Sequence, residues 1–339
     1  MSQLRDYVFH GGKQMTSVGL VGFFGWGNYG DELMCRVWQQ ALPWYSQVVH
    51  DLLDPPYFTE NPGETDSKHD VIVIGGGDLI RPWETSPLYW NSAWLRKPCI
   101  VAGVGVALGE RYENERVKSH LSRFLGSPSI QHISARDDNS ANWLRSLVPE
   151  KEVKTTPDLA FALPINANAI RRQPTVGIVV RKDLSKDIID ATNNIILWAT
   201  KEGLNLEFII GSIGRDAQDD LKIVQKEWPE SPFRMLNDID HITDALGEYQ
   251  LIASAKFHIT IMAARMGVPT ICLRTTNKIL GLASQLELPQ LAQPPLSPAP
   301  DINSLITRKY PTQKIKELES SAVNEIQNCV QSIYRTLEH

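Results

Sequence analysis

Short runs of apolar, mostly β-branched residues alternate with helix-like segments along nearly all of the 339-residue sequence. This alternation is typical of βαβ units, in which crossover helices connect the parallel strands of one sheet. In the first half we expect strands over residues 17–23, 71–74, 99–104 and 132–134. The helical segments between them begin with polar or acidic residues, as helix starts commonly do. The pattern predicts a doubly wound α/β domain.

A polar, proline-punctuated stretch over residues 148–174 interrupts the alternation, which then starts again. The second series has the same spacing, with strands over residues 175–181, 206–212, 233–236 and 269–273 and helices over 188–202, 216–226 and a segment ending near Ala253. We therefore expect two Rossmann-like domains, residues 1–168 and 169–339, with a cleft between them. Apolar residues at helical spacing predict a closing helix over 313–337, with packing back on the N-terminal domain as one option.

Charge and hydropathy exclude several classes of protein. The formal net charge of −5 gives no basic surface for nucleic acid, so an anion site must come from a local cluster of cations. No run approaches the about 20 apolar residues of a membrane span, and the N-terminus lacks the apolar region of a signal peptide. We expect a cytoplasmic protein. Peripheral membrane contact stays open because the first third is rich in tryptophans, which more often pack in a core; among them are Trp38, Trp44, Trp83, Trp90 and Trp94.

The cysteines give no sign of a disulfide or of a metal site. Cys35, Cys99, Cys272 and Cys329 are far apart in sequence, and none belongs to a CxxC pair. We expect them to be reduced core residues, and we expect no bound metal.

The segment "VGFFGWGNYGDELM" connects the first predicted strand to the first helix, and its glycines allow a tight turn and close approach to a ligand. It lacks the Lys and Ser/Thr of a phosphate-binding P-loop. Asp31 either caps the helix, which contributes about 0.5–2 kcal/mol, or acts as a general base or orients a substrate hydroxyl. A cap alone explains neither the glycines nor Asn28, so Asn28 and Gly30 are candidate binding residues.

Two neighbouring predicted strands run into further glycines, in "VIVIGGGDLI" and "VAGVGVALGE". Ligands of open α/β sheets bind at the carboxyl edge, so Gly76, Gly77 and Gly105 are candidates for close approach of a ligand or of another backbone segment. Arg136 ends the next strand and either pairs with adjacent acids or binds an anion. Arg181 ends the first strand of the second domain, at its ligand edge, where it either binds a ligand or is simply solvated.

In the second domain, "SAKFHITIMAARMGVPTIC" places Lys256 and His258 at the start of an apolar helix that is closed by Gly267 and Pro269. Unpaired backbone N–H groups at a helix start favour anions. Lys278 follows the next predicted strand at the same edge, as do Arg274 and two threonines. This combination predicts an anion pocket, although a histidine near an apolar helix is more often structural.

The sequence resembles the polysaccharide pyruvyl transferase family. Seven segments match the family in order: "GNYGDE", "GGGDLI", "GVGVALG", "SARDDNSANWL", "TPDLAFAL", "AKFHITIMAARMGVPTICL" and "NKILGLASQLELP". The resemblance implies two domains arranged as in GT-B glycosyltransferases. It also implies phosphoenolpyruvate as donor substrate, a saccharide hydroxyl pair as acceptor and no metal or nicotinamide cofactor. The family's arginine before its leucine and histidine is Lys256 here, which cannot form a bidentate fork on phosphate.

Ketal formation from an enol phosphate requires two anion-binding groups together with acid and base steps. On the resemblance we assign Lys256, Lys278 and Arg136 to the phosphate and carboxylate of the donor. His258 is assigned to proton transfer or to the leaving group, and Asp31 to the acceptor hydroxyl. The acceptor is expected to be a nucleotide- or lipid-linked precursor of a surface or exopolysaccharide. Two alternatives remain: a GT-B glycosyltransferase that uses a nucleotide sugar, and a non-catalytic member that binds a saccharide.

Overall fold

The computed structural model describes residues 16–48, 68–109, 111–166, 170–296, 302 and 311–338. Its described strands form two sheets, and all pairs of strands within them are parallel. The chain divides into two compact units that are discontinuous in sequence. Unit 1 comprises Met1–Gly25, Met34–Leu159 and Ser321–His339, and unit 2 comprises Trp26–Leu33 and Ala160–Ser320. The two parallel-sheet α/β domains predicted from the alternation are confirmed.

Unit 1 contains a six-stranded sheet in the order β2-β1-β3-β4-β5-β6. Strand β2 is added on one side of β1, and β3 to β6 are added on the other side. The point between β1 and β3 is therefore the switch point of a flavodoxin-like strand order. The strands are β1 (Ser17–Val21), β2 (Tyr45–Val48), β3 (Val71–Ile80), β4 (Cys99–Val106), β5 (Ile130–Ala135) and β6 (Lys154–Thr155). The α-helices between them are α1 (Tyr29–Ala41), whose first residues belong to unit 2, α2 (Glu115–Leu125) and α3 (Asp138–Leu147).

The core of unit 1 lies on both faces of this sheet. All eight residues of β4 are buried, as expected for a central parallel strand covered on two sides. Trp38, Trp90 and Trp94 are buried in the core, whereas Trp44 and Trp83 are half-buried. The indole N–H of Trp90 donates to the carbonyl of Leu79 at 3.0 Å. Three of these five tryptophans therefore pack in the core of unit 1.

Unit 2 contains a five-stranded sheet in the order β11-β10-β7-β8-β9. Read from β9, this is the strand order 3-2-1-4-5 of a Rossmann fold, with the switch point between β7 and β10. Its strands are β7 (Gln173–Val179), β8 (Asn205–Ile210), β9 (Phe233–Met235), β10 (Tyr249–Ser254) and β11 (Thr270–Cys272). Its α-helices are α4 (Lys186–Lys201), α5 (Gly214–Glu227), α6 (Ile239–Leu246), α7 (Phe257–Arg265) and α8 (Asn277–Gln285). The closing helix α9 (Thr312–Leu337) begins in unit 2 and ends in unit 1.

The main error of the sequence-based prediction concerns β10. A helix was expected to end near Ala253, but helix α6 ends at Leu246 and β10 follows over Tyr249–Ser254. The buried residues of "YQLIAS" face both sides of a central strand, so they show no alternation that would mark a strand. Strands β2 and β6 were also not predicted, and residues Ser92–Arg96 between β3 and β4 form a 3₁₀ helix.

The glycines of residues 75–77 lie inside β3 rather than after it. Gly76 and Gly77 have positive φ angles of 89° and 81°, and the register of β3 against β4 shifts between Gly77 and Ile80. A Cβ atom on Gly75 would overlap the carbonyl of Ala102 in β4, and one on Gly76 would overlap the side chain of Met34. Close packing inside unit 1 therefore accounts for much of this glycine run.

The limits predicted for the domains, residues 1–168 and 169–339, stay predictions. The structural division passes between Leu159 and Ala160, assigns the short segment Trp26–Leu33 to unit 2, and assigns residues 321–339 to unit 1. The described residues contain no helix that is both long enough and apolar enough to cross a membrane. All four cysteines are buried and none is in a disulfide, as predicted.

Candidate functional site

The switch point of unit 2 collects most of the predicted site residues. Open α/β sheets bind ligands at the carboxyl ends of the strands that flank this point, here β7 and β10. Arg181 and Lys182 follow β7, whereas Lys256 and His258 follow β10. The segment Trp26–Leu33, with Asn28, Gly30 and Asp31, belongs to the same unit.

Helix α7 begins directly after β10. Its N-cap residue, Lys256, has extended backbone angles (φ −106°, ψ 123°), and its side chain forms no capping hydrogen bond. The helix buries seven of its nine residues, and Gly267 (φ 67°) follows its end. The first-turn N–H groups of an α-helix have no intrahelical partners, so the start of α7 presents donors at the carboxyl edge of the sheet.

The Lys256 ammonium is engaged by its own unit. It donates to the carbonyl of Gly211 at 2.9 Å and to the oxygens of Ser212 and Asp220. An ammonium has three N–H donors, so these three acceptors saturate it. Burial lowers the pKa of Lys256, and the charge of Asp220 opposes this shift. Direct binding of a donor phosphate would require one of these hydrogen bonds to be exchanged, so that role of Lys256 stays a prediction.

Asp220, on helix α5, is the acceptor that links three segments of this edge. It accepts from the Lys182 backbone N–H after β7 at 3.0 Å, from the Ser212 hydroxyl after β8 at 2.7 Å, and from Lys256 after β10. Sequence reasoning missed Asp220. The available signal was its place beside Ala217 and Val224 on the buried face of α5, where an acidic residue is unexpected.

The segment 26–33 is attached to the loop after β8. Ile213 N–H donates to the Gly27 carbonyl at 2.8 Å, and Asn28 pairs with Ser212 in an isolated antiparallel bridge. The hydroxyls of Tyr29 and Thr243 are hydrogen-bonded at 2.7 Å, and burial raises the pKa of Tyr29. Three successive residues of the segment are thus held within unit 2.

Asn28 and Glu32 satisfy backbone donors at the start of helix α1. The Asn28 side chain accepts from Gly30 N–H at 3.1 Å, and the Glu32 carboxylate accepts from Gly27 N–H at 2.9 Å. This arrangement resembles a capping box, in which two side chains satisfy donors at the helix start. Both readings of Asp31, as a cap and as a catalytic group, stay predictions.

Gly30 lies against the imidazole of His258. A Cβ atom on Gly30 would overlap the ring, so this contact explains the glycine. Next to His258, the Phe257 ring lies 5.7 Å from the Lys278 ammonium, in cation–π geometry. Arg181 pairs with Asp183 at 2.6 Å, with 38% and 63% of the two side chains exposed. His258, Lys278, Arg181, Asn28, Gly30 and Asp31 are thus all in unit 2.

The remaining predicted residues are in unit 1. Arg136 is buried, pairs with Asp78, and lies 3.7 Å from Asp137 and 3.9 Å from Asp158. A Cβ atom on Gly105 would overlap Asp78 and approach the guanidinium, so this glycine makes room for the pair. Of the two readings of Arg136, the structure favours pairing with acids, because three carboxylates surround one guanidinium.

Among the described residues, three side chains of metal-binding types lie together: His132, Glu325 and Cys329. His132 Nε2 is 2.6 Å from Glu325 Oε1, and Cys329 Sγ lies 3.6 Å from the same oxygen. Burial raises the pKa of Glu325, but the interaction with His132 and the hydrogen bonds with Ser134 and Cys329 together outweigh burial and lower the pKa overall. Hydrogen bonding within unit 1 accounts for the cluster.

Comparisons with known proteins agree with this fold. The family model described as polysaccharide pyruvyl transferase matches residues 28–277. A comparison with curated proteins gives no significant match.

Several solved structures are similar to the chain along most of its length. An S. aureus MnaA–UDP structure has 10% identity and a TM-score of 0.55, covering 96% of this chain and 98% of its own. Anabaena Alr3699/HepE in complex with UDP and glucose has 13% identity and a TM-score of 0.54, covering 96% and 100%. The UDP-GlcNAc 2-epimerase from Neisseria meningitidis bound to UDP-GlcNAc has 13% identity and a TM-score of 0.53, covering 95% and 99%. At such identities the similarity shows the fold alone, which is the GT-B-like fold of these neighbours.

Proposed function

The chain belongs to the polysaccharide pyruvyl transferase family, and we propose that it transfers pyruvate from phosphoenolpyruvate to two hydroxyls of a saccharide, forming a pyruvate ketal. The observation that carries the proposal is the contact of His258 with Gly30 at the start of α7, with Lys278 beside Phe257. This arrangement combines an imidazole, cations and helix N–H groups at the switch point of one Rossmann-like sheet.

Phosphoenolpyruvate brings a phosphate and a carboxylate, so its pocket must supply several donors. We assign this role to Arg181, Lys278 and the first-turn N–H groups of α7. Exposed ion pairs contribute only about 0–1 kcal/mol, so a phosphate readily displaces Asp183 from Arg181. The charge of Lys256 adds to the field at this edge without requiring direct contact.

The reaction needs a proton at the methylene carbon and a hydroxyl oxygen at the adjacent carbon. The C–O bond to phosphate then breaks, and a second hydroxyl closes the ketal. Of the two hydroxyl protons, one balances the proton that forms the methyl group and the other leaves with the phosphate. His258 is suited to proton transfer because an imidazole can donate a proton from one ring nitrogen and accept one at the other. Asp31 would accept a proton from, or orient, the acceptor hydroxyl, because it is in the first turn of α1 next to Gly30, which contacts His258.

The acceptor would be a precursor of a surface or exopolysaccharide, linked to a nucleotide or a lipid. Unit 1 suits a hydroxyl-rich ligand better than a second anion, because Asp78, Asp137 and Asp158 outnumber Arg136 at its carboxyl edge. Carboxylates accept hydrogen bonds from sugar hydroxyls but repel phosphates. No metal or organic cofactor is part of this proposal.

The test is thermal unfolding of the protein with phosphoenolpyruvate, with inorganic phosphate as the reference anion. A ligand at 100 times its dissociation constant adds about 2.7 kcal/mol to the free energy of unfolding. We expect stabilisation by phosphoenolpyruvate that is lost in His258→Ala and Lys278→Ala. Lys226→Ala is the matched control, because that side chain is 75% exposed on helix α5.

A second candidate is a glycosyltransferase that uses a nucleotide sugar, because the structural neighbours named above were solved with UDP or UDP-GlcNAc. Stabilisation by UDP-GlcNAc but not by phosphoenolpyruvate would replace the first proposal with this one. If neither compound stabilises the protein, a non-catalytic saccharide-binding role becomes the better description. Release of inorganic phosphate from phosphoenolpyruvate on addition of a saccharide acceptor would establish pyruvyl transfer directly.

A further inference from the structure

We propose that Asp220 and Lys256 form a buried ion pair that positions the segment 26–33 and His258, and that Lys256 serves donor binding through this pair rather than by touching the donor phosphate. The inference depends on the proposed function only for the identity of the donor. Neither residue is a catalytic residue in this scheme, and both are positioning residues.

The first step of the argument is the burial and saturation of the pair. The side chain of Lys256 is 14% exposed and that of Asp220 is 4% exposed. The ammonium uses its three donors on Gly211, Ser212 and Asp220. Removing one partner of a buried pair is costly because the other charge remains unpaired, so this pair resists exchange with a ligand.

The second step is what the pair connects. Asp220 accepts from Lys182 after β7 and from Ser212 after β8, and Lys256 stands between β10 and α7. One carboxylate therefore fixes the ends of the two strands that flank the switch point and the end of their neighbour β8. Its loss would loosen all three loops together.

The third step leads from Ser212 to the proposed catalytic groups. Ser212 is bridged to Asn28, and the next residue, Ile213, donates to the Gly27 carbonyl at 2.8 Å. A Cβ atom on Gly27 would overlap the Ile213 carbonyl, so the backbone segments around Gly27 and Ile213 are in close contact. Asn28 in turn caps the helix turn that contains Gly30, and Gly30 contacts His258.

The fourth step explains a lysine where the family has an arginine. The Lys256 stem passes Gly211, where a Cβ atom would lie 3.4 Å from the Lys256 Cδ. A compact ammonium fits among three converging acceptors, whereas a planar guanidinium directs five donors in a fixed fork. A lysine at position 256 therefore fits the site around Asp220, and it is not there as a weaker phosphate-binding residue than arginine.

The experiment measures amide hydrogen exchange in peptides covering residues 26–33 and 211–215, together with the affinity for phosphoenolpyruvate. The variants are Lys256→Met and Asp220→Asn, and the matched control is Asp219→Asn, on the neighbouring and more exposed residue. Without any ligand, we expect both test variants to speed exchange in these peptides about tenfold or more, the size of losing one charge-assisted hydrogen bond. Both should weaken phosphoenolpyruvate binding to a similar degree, and Asp219→Asn should change neither.

If the other variants fold poorly, Lys256→Arg distinguishes a phosphate-binding role of Lys256 from the positioning role. A phosphate ligand predicts that arginine, the family's residue, retains or improves donor binding with unchanged exchange. The positioning role predicts faster exchange at residues 26–33 and weaker binding. The proposal is overturned if Lys256→Met loses donor binding with unchanged exchange while Asp220→Asn binds normally. If the unmodified protein does not bind phosphoenolpyruvate, the proposed function fails, but the exchange measurement still decides the positioning role.

Discussion

Replacement of Gly30 by alanine tests the contact that carries the proposed active site. Gly30 is in the first turn of α1, where its backbone is helical, so alanine is allowed there. In a helix alanine is favoured over glycine by about 0.5–1 kcal/mol. Here the new Cβ would overlap the His258 ring, and overpacking of this kind costs about 1–3 kcal/mol. We therefore expect Gly30→Ala to destabilise the protein modestly and to displace the imidazole.

The His258→Ala background reverses the sign of this effect. Without the ring, the overlap disappears and only the gain in helix propensity remains, so Gly30→Ala should then stabilise the protein by about 0.5–1 kcal/mol. The difference between the two backgrounds is a coupling free energy of about 1–3 kcal/mol, measured by urea unfolding of the four proteins at constant m-value. An equal cost of Gly30→Ala in both backgrounds would refute the reasoning, because the glycine would then be required by something other than His258.

Three further predictions concern buried groups. Because the folded-state pKa of Glu325 is lowered, the stability it contributes is present above its ordinary pKa and is lost as the pH falls through the folded value. Glu325→Gln should remove this part of the acid dependence and cost about 1.5–3 kcal/mol at neutral pH, the size of a hydrogen bond to a charged group. Urea unfolding at several pH values measures both effects. Arg136→Met leaves its surrounding carboxylates without a cation and should cost about 3–5 kcal/mol at neutral pH, with partial recovery on acidification. Burial raises the pKa of Cys99 to about 12 and that of Cys272 to about 11. Mass spectrometry should therefore find these thiols unmodified by iodoacetamide at pH 8 in the native protein and modified in urea, whereas modification of the native protein would show that these sites open.

The fold followed from the sequence where periodicity carried the information. Strands β1, β7 and β8 were predicted close to their observed bounds, because polar segments flank their apolar runs. Strand β10 was missed because it is buried on both faces, so its sequence does not alternate. The glycines of β3 were predicted to follow the strand rather than to lie inside it, since a positive φ inside a strand arises from neighbouring packing and leaves no local pattern.

The site was predictable as a set of residue types but not as a set of contacts. His258, Lys278 and Arg181 were predicted from their places after strands, which a parallel sheet brings to one edge. Asp220 could not be assigned in this way, because its role depends on three segments that are distant in sequence. The contacts at the start of α1 show the same limit, since "NYGDE" offers three side chains that can cap a helix and only geometry shows what Asn28 and Glu32 bind.

The exposure of its ion pair indicates how easily a cation can exchange its carboxylate partner for an anionic substrate. Arg136 and Lys256 are the cations that the sequence motifs mark most strongly, yet both are buried among carboxylates or other acceptors of their own unit. Arg181 has an exposed partner, and such a pair costs little to exchange for a phosphate. The Lys278 ammonium lies 5.7 Å from the Phe257 ring in cation–π geometry, next to His258. On the criterion of exposure we propose Arg181 as a donor-binding cation, with Lys278 beside the start of α7, and we propose that Arg136 and Lys256 hold the sheet edges of their own units.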